Sequence, residues 1–201
     1  MLATPQKHVW PTWAAAVLIF CAARPWLLPE AFRFLSAPNT MWRVIYQLTV
    51  LALAIVLLVS AKLPRAVLAG AFGFTGLIFI VQQSSSVFAL FAAGAATPLY
   101  ALIIFFATVP TISLYLLCIL FLLQKVPFGA AAAVAVATVF CSFAAVVLTL
   151  AASSGGSILI LGRLLVQVLP SSLPGLLLPV GLLVWLVGQH SKKPPLHPMP
   201  R

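Results

Sequence analysis

Residues 42–61 read WRVIYQLTVLALAIVLLVSA, an apolar run whose only charged side chain, Arg43, lies close to its beginning. An α-helix needs about 20 predominantly apolar residues to cross the hydrocarbon core of a bilayer. This run has that length, and Lys62 follows it directly. The stretch therefore predicts a transmembrane helix with a basic residue near each end.

The composition of the whole chain supports the same class of protein. Of its 201 residues, 64% are hydrophobic and 6% are charged, whereas an average soluble domain has about 25% charged residues. So few charges could not keep so apolar a chain monomeric in water. We predict an all-α fold: a polytopic transmembrane helical bundle that forms a single integral-membrane domain over residues 1–201.

Five further apolar runs bring the predicted number of spans to about six. The predicted spans cover residues 10–28, 42–61, 64–83, 98–124, 128–152 and 158–187. Between the first two spans, residues 24–41 mix aromatic and basic side chains and predict an interfacial loop. Residues 189–201 form a basic, Pro-rich tail. Pro170–Gly175 breaks the last run, which predicts either an interrupted helix that spans the membrane near the C-terminus or a re-entrant hairpin.

Two parts of the chain allow alternative interpretations. Residues 82–86 predict a polar break, after which 87–124 is either two short spans that turn near Pro110, or a partial helix at 87–97 and one span at 98–124. We favour the single span because it keeps Lys125 on the same side as the N-terminus. Residues 1–23 resemble a signal peptide in charge and length, but their cleavage site is poor and we expect an uncleaved span.

The distribution of basic residues predicts an orientation. Cytoplasmic loops of membrane proteins carry an excess of Lys and Arg. With one span at 98–124, one side of the membrane carries most of the basic residues: Lys7, Lys62, Arg65, Lys125, Lys192, Lys193 and Arg201. We therefore expect cytoplasmic N- and C-termini, in a bacterial inner membrane. Arg24, Arg33 and Arg43 lie on the opposite side, against this rule.

The scarcity of acidic residues excludes several kinds of chemistry. Glu30 is the only acidic residue of the sequence, so the carboxylates that hold Mg²⁺ or relay protons are missing. The sequence also lacks nucleotide-binding glycine motifs, and its three cysteines lack metal-ligand spacing. We expect no metal, cofactor, nucleotide or nucleic-acid binding and no enzymatic activity.

Three polar residues are candidates for ligand binding. Arg163 lies inside an apolar segment, where a charge is costly and is a functional hypothesis by default. Gln167 follows it by one helical turn, and Gln82 lies near the end of the third predicted span. A permease for an anionic or neutral solute would line its cavity with these side chains.

Two rows of small residues predict close helix packing. Small residues let membrane helices approach one another closely. The first row has a spacing of three residues and the second a spacing of four: Gly70, Gly73 and Gly76, then Gly129, Ala133, Ala137, Cys141 and Ala145.

Two functional classes fit this sequence. The first is a small permease-like protein without enzymatic activity. The second is a structural or accessory subunit of a larger membrane complex, whose rows of small residues would face outward in the isolated chain. The expected partners are the lipid bilayer and either another copy of the chain or another membrane protein.

A third alternative comes from the order of Cys141, Arg163 and His190. This order resembles that of the exosortase family of membrane transpeptidases, which would imply an intramembrane cysteine transpeptidase or protease. Phe143 stands where that family carries glycine. A thiolate also needs a base within hydrogen-bond reach, whereas we expect Cys141 near mid-membrane and His190 at a helix end. No family is assigned from these three residues.

Overall fold

The computed structural model describes residues 10–23, 38–92, 94, 97–154 and 175–190, and these form six α-helices and no strand. In chain order the helices are α1 (Trp10–Ala22), α2 (Pro38–Leu58), α3 (Arg65–Ala92), α4 (Pro98–Leu122), α5 (Phe128–Ser154) and α6 (Gly175–His190). The predicted all-α helical bundle is confirmed.

Four helices are long and apolar enough to cross a membrane. The segments that meet this criterion are Thr40–Leu58, Arg65–Ala89, Pro98–Leu122 and Phe128–Ala152. α1 has 13 residues, which is about 20 Å of helix at 1.5 Å per residue, and α6 is also a shorter apolar helix. The chain therefore has the helices of a membrane protein, while the predicted number of six spans stays a prediction.

The third helix extends beyond its predicted end. The polar run at residues 82–86 predicts a break, but α3 continues through it to Ala92, so the predicted break and the separate partial helix at 87–97 are wrong. The Ser86 hydroxyl donates to the Gln82 carbonyl at 3.0 Å. Serine side chains can hydrogen-bond to the preceding helical turn in this way, so a polar run need not end a helix. Gly94, with a φ of 65°, lies in the turn that follows.

The fourth helix is one continuous segment through Pro110. It begins with Pro98 in its first turn, where the missing N–H of proline is tolerated, and the Tyr100 N–H donates to the Thr97 hydroxyl. The Thr111 hydroxyl donates to the Ala107 carbonyl at 2.8 Å, close to Pro110. Residues 98–122 thus form one helix rather than two short ones.

A left-handed residue ends α4. Gln124 has a φ of 59°, its N–H donates to the Phe121 carbonyl, and the Lys125 N–H donates to the Leu120 carbonyl at 2.8 Å. These two bonds form a Schellman motif, which satisfies carbonyls at the helix C-terminus. The chain then turns and α5 begins at Phe128.

The helices alternate in direction, and α6 packs among earlier ones. Each of the pairs α1–α2, α2–α3, α3–α4 and α4–α5 is in contact. On α6, the ring of Trp185 lies 5.1 Å from that of Phe72 on α3, and His190 stacks on Phe128 at 4.3 Å. Both ends of the described chain, near Trp10 and His190, therefore lie at the same end of the bundle. Lys62, Arg65 and Lys125 are at this end too, which we call the basic end.

Two glycines of α6 bring it against α1. A Cβ added to Gly181 would lie 2.8 Å from Cγ1 of Ile19, and one added to Gly188 would lie 2.7 Å from Cβ of Pro11. Neither contact is one that a real Cβ could make without movement. These glycines, which no sequence pattern singles out, let α6 pack closely against α1.

The predicted rows of small residues do not each share one environment. Gly76 is buried against Tyr115, whereas Gly70 is exposed, and a Cβ added to it would have no atom within 4 Å. Gly129, Ala133 and Ala137 are exposed, while Ala145 is buried. Residues four apart rotate by about 40° per step around an α-helix, so the second row moves from the outside of α5 into the bundle. The small residues of α5 that are fully buried are Ala131, Ala135 and Thr138.

Candidate functional site

Tight packing fills the half of the bundle near the basic end. The buried apolar side chains there come from all six helices, and they include Ile19, Leu53, Leu57, Phe72, Cys118, Ala131, Leu182 and Trp185. In the other half, a cavity of about 360 Å³ lies between the helices. Among the described residues, every helix contributes to its lining. A ligand site in this protein would therefore lie in the half away from the basic end.

Three neighbouring residues on α2 line one side of the cavity. Arg43, Tyr46 and Gln47 all face it, and they share one face because residues three and four apart lie side by side on a helix. Arg43 is exposed and lies one helical turn closer than Tyr46 and Gln47 to the end of the bundle that is away from the basic end. Tyr46 and Gln47 are half-buried. This face gives the cavity its one charged side chain among the described residues.

Polar side chains from the other long helices complete the lining. Gln82 and Gln83 come from α3, Thr111 from α4, and Ser142 and Thr149 from α5. The Thr111 and Thr149 hydroxyls donate to carbonyls of their own helices, and the Thr111 oxygen keeps the capacity to accept a hydrogen bond. Ser142 is half-buried. The cavity thus presents amide and hydroxyl groups from three helices in addition to those of α2.

Aromatic side chains separate the cavity from the tightly packed half. The Tyr46 and Tyr115 hydroxyls are 3.2 Å apart and join α2 to α4. The ring of Phe79 lies 5.2 Å from that of Tyr46 and 6.3 Å from that of Tyr115. We call Tyr46, Phe79 and Tyr115 the aromatic layer. Two members of this layer, Tyr46 and Phe79, line the cavity, so the layer lies between the cavity and the packed half.

One buried oxygen in the cavity wall lacks a hydrogen-bond partner. The Gln47 side-chain oxygen is buried, and no donor within the described segments bonds to it. A buried acceptor without a donor costs about 1–3 kcal/mol relative to its hydrated state. The Gln47 oxygen therefore marks a position where a donor group inside the cavity would be stabilised.

The structure bears differently on the three predicted ligand-binding residues. Gln82 lines the cavity, whereas Arg163 and Gln167 lie outside the described residues. Arg43 and Gln47 also line it, although no ligand role was predicted for them. The sequence carries a signal for both, because Arg43, Tyr46 and Gln47 form a polar face at helical spacing within an otherwise apolar run.

The cysteine and histidine pair of the transpeptidase alternative is not assembled in this structure. The ring of His190 stacks on that of Phe128, which is the first residue of α5. Cys141 follows Phe128 by 13 residues of the same helix, which corresponds to about 20 Å at 1.5 Å per residue. The imidazole of His190 is therefore far from hydrogen-bond reach of the Cys141 thiol, so these two groups do not form a nucleophile and base pair.

Similarity to known proteins adds no assignment. The chain matches no protein family, and no curated protein or solved structure is significantly similar to it. Within the described residues there is no group of three or more His, Cys, Asp or Glu side chains that could hold a metal ion.

Proposed function

We propose that this chain is a small permease-like integral membrane protein that admits a small polar solute to the cavity between α2, α3, α4 and α5. The cavity itself carries the proposal. Its polar lining lies between four helices that are long enough to span a membrane. Within a membrane, polar groups are costly unless they face a water-filled or ligand-filled site. The aromatic layer closes the path toward the basic end, as expected for a transporter open to one side.

Solute release from proteoliposomes tests this proposal. Vesicles that contain the full chain are loaded with glycerol, lactate or inorganic phosphate, and release is compared with that from protein-free vesicles. We expect at least one of the three solutes to be released faster from vesicles with the protein than from protein-free vesicles.

Gln82→Leu should slow that release, because it removes an amide from the cavity wall. Gln189→Leu, near the basic end of α6 and not part of the lining, is the matched control. Release of all three at the protein-free rate would contradict the proposal.

The orientation of the protein in the membrane is part of the same proposal. Lys62, Arg65 and Lys125 lie at the basic end, and the positive-inside rule would place this end in the cytoplasm. The cavity would then open toward the other side of a bacterial inner membrane. Topology reporters fused after Lys125 and after His190 should both give cytoplasmic signals. A periplasmic signal from either fusion would contradict this orientation.

A second candidate function, a subunit of a larger membrane assembly, is favoured by the outer face of α5. Gly129, Ala133 and Ala137 are exposed, and small residues on a membrane helix allow another helix to approach closely. Ala133→Leu would block such an approach, whereas Ala101→Leu places the same side chain at an exposed position on α4. Loss of a higher-order species only in Ala133→Leu, measured by size-exclusion chromatography with light scattering, would support an assembly role. An unchanged mass would exclude contact through this face.

A further inference from the structure

The charge of the cavity limits the solutes that it can hold. Arg43 is its only charged group among the described residues, and its side chain is exposed at the outer end of the cavity. Glu30, the only acid of the sequence, is not one of the described residues. A guanidinium presents paired donors that match the oxygens of a carboxylate or phosphate. An oxyanion is therefore the complementary ligand for this end of the cavity.

The next turn of α2 carries a hydrogen-bond acceptor, which requires a donor group on the ligand. The Gln47 oxygen is a buried acceptor with no donor from the described chain. It lies on the same helical face as Arg43, about one 5.4 Å turn further into the bundle. An anion that offers only acceptors would leave this oxygen without a partner, at the cost of a lost hydrogen bond. A solute that spans both positions should carry a hydroxyl or N–H group beside its charge.

The size and single charge of the site limit the ligand further. A volume of about 360 Å³ is at the small end of the range for ligand pockets, about 300–1,000 Å³. Among the described lining residues Arg43 is the one charged side chain, and one guanidinium neutralises one negative charge. We propose that the cavity binds a small oxyanion of single charge that also bears a hydrogen-bond donor, such as a hydroxycarboxylate. In this arrangement Arg43 binds the oxyanion, and the Gln47 oxygen accepts a hydrogen bond from the donor group of the ligand. This inference rests on the proposed permease function and names the class of its solute.

Thermal unfolding of the purified full chain in detergent tests the proposal. The probes are glycolate, acetate and choline at matched ionic strength, where glycolate differs from acetate by one hydroxyl group. A ligand that binds only the folded state raises Tm in a concentration-dependent way. We expect glycolate to raise Tm more than acetate, because a site that hydrogen-bonds a hydroxyl disfavours an analogue without it. Choline should give no shift.

Two variants separate the roles of the residues. Arg43→Gln should weaken binding of both anions by about tenfold or more, as expected for the loss of a charge-assisted hydrogen bond. Gln47→Leu should leave acetate binding unchanged and abolish the advantage of glycolate. Arg65→Gln, which removes an exposed arginine at the basic end, is the control and should bind as the parent does.

A lipid headgroup offers the same chemistry as a free solute. Phosphatidylglycerol carries one negative phosphate and glycerol hydroxyls, whereas phosphatidylcholine is zwitterionic. If the free anion is the ligand, glycolate should shift Tm equally in nanodiscs of either lipid. If phosphatidylglycerol raises Tm in the parent but not in Arg43→Gln, and suppresses the glycolate shift, the anion is the headgroup.

Equal shifts with glycolate and acetate in the parent would overturn the proposed donor requirement. Shifts that are unchanged in Arg43→Gln would overturn the anion site itself. Either result can occur while vesicles still release a neutral solute, so failure of this inference is distinguishable from failure of the permease proposal.

Discussion

Thr138 joins two helices through a single hydroxyl group. Its side chain is fully buried, and its oxygen lies 3.1 Å from the Pro110 carbonyl on α4 and 2.7 Å from the Val134 carbonyl on its own helix. The contact is made where α4 contains a proline, so α5 supplies a donor beside a local interruption of the α4 hydrogen-bond ladder. Hydrogen bonds between helices that are donated by hydroxyl groups contribute to helix association in membranes.

We expect Thr138→Val to destabilise the protein by about 1 kcal/mol, because interhelical hydrogen bonds in membranes are worth about 0.6 kcal/mol and at most about 1.7 kcal/mol. Thr75→Val is the matched control, since the buried Thr75 hydroxyl donates only to Ala71 of its own helix. Thermal or denaturant unfolding in a fixed detergent measures the difference. Equal losses for the two variants would show that the contact with Pro110 contributes nothing.

Gly181 makes the second residue-scale prediction. Because an added Cβ would lie 2.8 Å from Ile19, Gly181→Ala should force α6 away from α1 and cost about 1–3 kcal/mol, as overpacking does in other cores. Gly70→Ala meets no atom within 4 Å and should be neutral or stabilising by up to about 1 kcal/mol. Unfolding free energies of the two variants in one detergent check the contrast. A stable Gly181→Ala protein would mean that the two helices do not pack this closely.

At the residue scale, sequence patterns identify the type of side chain better than its surroundings. Gln82 is a predicted site residue and lines the cavity, but spacing alone cannot show that Gly129 is exposed while Ala145 is buried. A spacing of four residues drifts around a helix, and which side faces the bundle depends on neighbours that are distant in sequence. Gly181 escapes prediction for the same reason, since only its contact with Ile19 gives it a role.

At the scale of elements, the end of α4 depends on an unfavourable backbone conformation. Gln124 adopts a left-handed φ of 59°, which costs an L-residue about 1–2 kcal/mol relative to glycine. The Schellman motif that it forms positions the turn into α5. Its side chain is exposed, so the residue can be replaced without disturbing packed groups.

We expect Gln124→Gly to raise the unfolding free energy by about 1 kcal/mol, because glycine adopts this conformation without steric cost. Gln124→Ala is the control, since it shortens the side chain and keeps the strained Cβ. Unfolding in one detergent should rank glycine above both glutamine and alanine. If alanine stabilises as much as glycine, the effect belongs to the lost side chain and not to the backbone.

The elements can be predicted from the length of the apolar runs, but some of their ends cannot. The run at 42–61 lies over α2, and 98–124 and 128–152 correspond to α4 and α5. The predicted break at 82–86 is wrong because serine hydroxyls bond back to their own helix, as Ser86 does to Gln82. Polarity indicates a loop only where polar groups have no partner within the helix.

At the scale of the whole molecule, packing is uneven along the bundle axis. Large buried side chains such as Phe72 and Trp185 fill the half near the basic end, whereas the other half contains the cavity and the buried oxygen of Gln47. The apolar runs predict a helical bundle but not this division, because the division arises from how the helices meet. Alternation of helix direction brings the polar residues of four helices to the same half, among them Arg43, Gln82, Thr111 and Ser142.

Accessibility of two adjacent positions on α5 tests most directly whether the cavity is open to water. Ser142 lines the cavity, and the next residue, Phe143, is 54% exposed on the outer face of the bundle. In a protein whose three native cysteines are replaced by alanine, Ser142→Cys and Phe143→Cys are each treated in membranes with a negatively charged, membrane-impermeant methanethiosulfonate. We expect rapid labelling at 142 and none at 143, because lipid surrounds the outer face. Equal labelling of both positions, or labelling of 143 alone, would contradict a water-accessible cavity within a membrane bundle.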